Sequence, residues 1–141
     1  MTAQIDYEKL LYDRSAGTLR VHGIMSVIFG SLGILVALLF TTLMVIGSMA
    51  EDSYDSYDSS IAGLSIVGMV IFIFWTLPHI YLVVAGYYLM REPAPRVAKA
   101  LVLVNLVIGA FWNLILLVFS IINLTQLGDY DRGYSAHKHV K

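Results

Sequence analysis

The sequence predicts an all-α integral membrane protein, with three transmembrane helices in a small left-handed bundle and the second helix kinked near Pro78. Three observations carry that prediction. Of the 141 residues, 58% are hydrophobic and only 13% charged, about half the charged share of a soluble domain. The charges are gathered into clusters: Lys9, Arg14 and Arg20 early; Glu51, Asp52, Asp55 and Asp58 next; Arg91, Glu92, Arg96 and Lys99 later; then Asp129, Asp131, Arg132, Lys138 and Lys141. The apolar stretches between them, about 21–49, 61–90 and 98–127, each exceed the roughly twenty residues a helix needs to cross a bilayer. A β-barrel is excluded, because its strands alternate polar and apolar over about ten residues each.

Residues 1–20 read as a cytoplasmic segment in which Ile5, Leu10, Leu11 and Tyr12 line one side of a short amphipathic helix on the membrane surface. The alternative is a frayed tail. The first span is too long for the apolar region of a secretory signal, so it reads as uncleaved. Along it, Gly23, Ser26, Gly30, Gly33 and Ala37 recur at alternating intervals of three and four. Such a seam of small residues lets another helix approach closely at a crossing angle of roughly 20°. The partner is a helix of the same chain or a second copy.

Residues 50–60 contain Glu51, Asp52, Asp55 and Asp58 with no base. This acidic stretch reads as a solvated outer loop, or as a docking element for a cationic partner. It lacks the glycine and closing glutamate of a calcium loop.

The second span carries Pro78 and, next to it, His79. Proline removes one helical hydrogen bond, here to the Phe74 carbonyl, and bends the helix. Without water, that carbonyl needs another donor, and Thr76 is a candidate. An ionisable group deep in an apolar span usually faces other helices or a cavity. Gly63 and Gly68 add a small patch for a partner. Residues 91–97 form a basic inner turn with Pro93 and Pro95 outside the helices.

In the third span Asn105, Gly109 and Asn113 recur every four residues, and Leu116, Ser120 and Asn123 continue the stripe. Asparagines in a span hydrogen-bond across helices. His79 stands twelve residues before Arg91 and Asn113 fourteen after Lys99, so both lie about 18–21 Å inward. The expectation is that His79 and Asn113 face each other, with Thr76 nearby and with Trp75 and Trp112 in the same layer. The positive-inside rule places the N-terminus and residues 91–99 in the cytoplasm. With three spans, residues 128–141 then form an extracytoplasmic tail.

No catalytic constellation is present, so the chain reads as a non-enzyme. It has no cysteine, which removes thiolate metal sites and cysteine nucleophiles. No cofactor is expected. Haem on His79 would need a second ligand, and His22 differs from it in depth by roughly 15 Å. His137 and His139 lack the further ligands a metal requires. A net charge of −1 gives no field for nucleic acid. The expected partners are membrane lipids and other membrane protein subunits, or further copies of the chain. The expected function is that of a small accessory, assembly or stabilising subunit of a larger membrane complex. The alternative is a homo-oligomeric channel or proton-linked transporter using His79 and the Asn105/Asn113 stripe. Short connections suit a bacterial plasma membrane.

Overall fold

The computed structural model describes residues 2–51 and 58–138, with side chains over 7–47 and 68–136. Among the described residues the chain forms four helices: α1 (Thr2–Glu51), α2 (Asp58–Met90), α3 (Pro95–Trp112) and α4 (Leu114–Lys138). All four contain a stretch long and apolar enough to cross a membrane. The expected count of three is therefore corrected to four. The acidic stretch Glu51, Asp52, Asp55 and Asp58 lies outside the described side chains, as do Gly63, His137 and His139.

The difference arises at one residue. Asn113 is extended, with φ −155° and ψ 101°, and splits the third apolar stretch into α3 and α4. Its N–H donates to the Gly109 carbonyl at 2.9 Å, and its own carbonyl accepts the Leu117 N–H at 3.0 Å. Its side-chain Oδ1 accepts the N–H groups of Ile115 at 3.0 Å and Leu116 at 3.2 Å. This is an N-cap, which satisfies the donors that a new helix leaves free. Gly109 allows the reversal to be tight, because a Cβ there would meet the Leu117 nitrogen at 2.6 Å.

α4 consequently returns along α3 and along the first half of α1. Tyr130 stacks on Tyr12 with ring centroids 5.5 Å apart, and a Cβ at Gly133 would collide with Tyr12. The start of α1 and the end of α4 thus share one end of the bundle, which corrects the expectation that they lie on opposite sides. Residues 2–20 are the first turns of α1 itself and not a separate surface helix. Tyr12, Ser15, Ala16 and Leu19 are buried, whereas Leu10 stays exposed. Residues 128–138 continue α4 and are not a free tail.

The α2–α3 turn is held at the same end. Arg20 pairs with Glu92, Tyr12 Oη donates to Glu92 Oε2 at 2.7 Å, and Tyr130 Oη donates to the Pro93 carbonyl at 2.7 Å. Glu92 has φ +51°, a left-handed conformation that normally favours glycine. The grip of Arg20 and Tyr12 explains a glutamate there. Pro95 opens α3, where a missing N–H has no cost.

α1 and α2 run antiparallel, and the small seam lies between them. A Cβ on Gly23 would meet the Gly86 carbonyl at 2.6 Å, and one on Gly30 would meet the His79 carbonyl at 2.7 Å. Counting from the Asn105–Ser26 hydrogen bond, the hairpin tip at Asn113 lies about 12 Å further along, roughly level with Gly33. α1 and α2 continue beyond it as a two-helix arm, still in contact at Met44 and Gly68.

Candidate functional site

Two buried histidines stand on these helices, and their surroundings differ. His79 is 8% exposed. Its Nδ1–H donates to the Trp75 carbonyl, one turn back on its own helix, at 2.6 Å. The ring stacks on Trp75 with centroids 5.1 Å apart. It fills the space left by Gly33, where any Cβ would collide with the imidazole. Trp75 Nε1–H in turn donates to the Gly33 carbonyl at 3.1 Å. His79 is therefore part of the α1–α2 seam.

The expected pairing of His79 with Asn113 is not present. Asn113 spends its side-chain oxygen on the cap of α4, and among the described residues the backbones of α2 and α4 do not approach each other closely. The two have similar depth and different neighbours. Thr76 Oγ1 is buried with no hydrogen-bond partner, so it does not serve the Phe74 carbonyl. α2 remains helical through Pro78. Trp75 and Trp112 are both exposed on the apolar surface.

Polar residues instead converge on His22. The His22 side chain is fully buried, at 0% exposure, as are Ser26, Asn105, Ser120 and Asn123. Asn105 Nδ2 lies 3.2 Å from His22 Nε2 and donates to Ser26 Oγ at 3.2 Å. Ser120 Oγ lies 3.4 Å from His22 Nε2. Asn123 Nδ2 lies 3.2 Å from His22 Nδ1 and donates to the Phe119 carbonyl at 2.8 Å. The Phe119 ring stacks on the imidazole with centroids 6.3 Å apart. Asn105 Oδ1 and Asn123 Oδ1 are buried without partners.

The sequence explains this convergence once the reversal at Asn113 is known. Asn105 stands six residues after Lys99, and Asn123 six before Asp129, about 9 Å from the charged end along each helix. His22 stands just inside Arg20 on α1. Folding α4 back along α3 brings all three to one layer. Of the small seam, Ser26 belongs to this layer, while Gly23, Gly30, Gly33 and Ala37 line the α1–α2 side.

The layer holds one imidazole, two amides and two hydroxyls, with no carboxylate or thiol. It can orient hydrogen bonds and bind a proton; Ser120 Oγ stands beside the imidazole, but both are fully buried and no carboxylate orients the ring. Among the described residues no group of His, Asp and Glu side chains has the spacing to hold a metal ion.

A second feature lies on the arm. A groove of about 260 Å³ is lined by Val36, Ala37, Phe40, Ile71, Phe72 and Trp75. At 100° per residue, Val36 and Phe40 lie on the side of α1 that carries Ser15 and His22. That side faces the hairpin lower down.

No family model, curated protein or solved structure matches this chain.

Proposed function

We propose that this protein is a non-enzymatic accessory or assembly subunit that packs against a larger membrane protein complex. One observation carries the reading. The face of α1 that seats the hairpin continues upward into the apolar groove at Val36, Phe40 and Trp75, with no further helix of the described chain upon it. Helix association in lipid depends on such close apolar packing. A transmembrane helix of a partner subunit is the occupant that continues the bundle.

A homo-oligomeric channel built on His79 and the Asn105/Asn113 stripe draws less support from the geometry. His79 is committed to the seam, Asn113 to a helix cap and Asn105 to the His22 layer, so among the described residues these three leave no polar face to line a path.

The orientation follows from charge. Lys9, Arg14, Arg20, Arg91, Arg96, Lys99 and Arg132 all stand at the bundle end shared by the start of α1 and the end of α4. By the positive-inside rule that end faces the cytoplasm, in a bacterial plasma membrane.

The test is the composition of the particle extracted from native membranes in mild detergent. Foreign subunits in fixed ratio, lost on Val36→Ser with Phe40→Ser while the helices stay folded, support the reading. A single subunit type in a fixed multiple supports the channel.

A further inference from the structure

We propose that His22 is an acid-sensitive latch joining α1 to the α3–α4 hairpin, closed when its imidazole is neutral and opened by a proton at Nδ1. The Phe119 carbonyl sets the orientation of the network. A carbonyl only accepts, so the amide group facing it must be the Asn123 Nδ2. The second hydrogen of that nitrogen is then directed at His22 Nδ1, which must accept it with a lone pair. A neutral imidazole has one lone pair and one N–H, so the hydrogen of His22 stands on Nε2. There Ser120 Oγ accepts it, and the Asn105 amide, whose Nδ2 faces the same ring nitrogen at 3.2 Å, must turn over to present its oxygen as a second acceptor. The Asn105 oxygen is without a partner in the present arrangement.

This network fixes one tautomer and joins three helices through one ring. It has no arrangement that suits the imidazolium. A proton on Nδ1 sets an N–H against the Asn123 Nδ2. Turning Asn123 to offer its oxygen sets that oxygen against the Phe119 carbonyl. The only relief is for α4 to move from α1.

No charge nearby offsets the added proton. α3 presents Asn105 to the ring, and α4 presents Phe119, Ser120 and Asn123. From α1 itself comes Ser26, by way of Asn105. Arg20, the nearest charged residue on α1, is turned to Glu92. Among the described residues no group on α2 bonds to the ring. The layer lies about 9 Å from the charged end.

His79 differs in the respect that matters. Its Nδ1–H donates to a carbonyl of its own helix, a bond that survives protonation.

The chain's lack of cysteine allows a direct test. Spin labels at Val36→Cys and Ile115→Cys, both at exposed positions, report the α1–hairpin distance in phosphatidylcholine nanodiscs. One narrow distance is expected at pH 7.5, with a longer and broader population appearing as the pH is lowered through and below the range in which a histidine takes up its proton. His22→Gln should abolish the response, and His79→Gln should retain it. An unchanged distance in the unsubstituted latch at pH 4.5, or a response that persists in His22→Gln, overturns the proposal. ¹⁵N spectra of the histidines decide the case independently should His22→Gln be broad at every pH. The Nε2–H tautomer at pH 7.5, gaining its second proton together with the distance change, is the expected result. The Nδ1–H tautomer, or a distance change without titration of His22, contradicts it.

Discussion

His22 and His79 are both buried imidazoles on long apolar helices, yet they belong to different kinds of structure. Around His79, every polar contact stays on α2 or reaches only the backbone of α1, and what matters is the fit of a flat ring over Gly33. Around His22, both ring nitrogens face side chains of other helices. The first ring is a space-filler with a local bond; the second is a junction. Depth in an apolar span therefore does not reveal the role of an ionisable group. Its neighbours across the helix boundary do.

The contrast between the two rings is most vulnerable at the seam. Gly33→Leu should displace the His79 ring and part α1 from α2, at a cost of about 3 kcal/mol or more. Reversible unfolding in mixed micelles would measure it, and a change below about 1 kcal/mol would show that the ring is not seated there. Next in size, His22→Ala should cost about 3 kcal/mol, because it opens a cavity and takes one of the two hydrogen bonds from a buried amide on each of two helices. His79→Ala should cost about 1–2 kcal/mol, chiefly through lost packing, with His79→Gln recovering part of it. The reverse order would contradict the assignment of junction and filler. Smallest, Asn113→Ala should cost about 1 kcal/mol as a lost N-cap. It should also loosen the hairpin tip, read as faster hydrogen exchange at Ile115 and Leu116.

Much of this architecture is legible in the residues, and the parts that are not have identifiable reasons. The apolar runs and the charge clusters specify a helical membrane protein without further help. The seam from Gly23 to Ala37 is visible because small residues at alternating three and four spacing fall on one helix face, where they admit a neighbouring backbone. The reversal at Asn113 is hidden. It uses one asparagine as an N-cap, with no proline or glycine cluster to announce a turn, inside a run that reads as one uninterrupted span. That single omission displaces everything downstream. It puts the end of α4 at the far side, leaves Asn123 with no partner, and makes His79 look like the natural mate of Asn113. The clamp of Tyr12, Glu92 and Tyr130 is equally invisible, since its members come together only after the chain has turned back. Ser26 and Asn105 are the residues that could have pointed to the layer. Each stands six residues from a charge cluster, within about one turn of the depth of His22 and level with Asn123 once the hairpin is closed.

The division into junction and filler is tested most directly by a pair of double-mutant cycles read by reversible unfolding. In the first, His22→Ala is combined with Asn123→Ala; in the second, His79→Ala with Asn113→Ala. A coupling of about 1 kcal/mol is expected between His22 and Asn123, near the upper part of the range for polar contacts between membrane helices. Additivity within about 0.5 kcal/mol is expected for His79 and Asn113, which share no partner. Additive effects in the first cycle, or coupling in the second, would contradict the division.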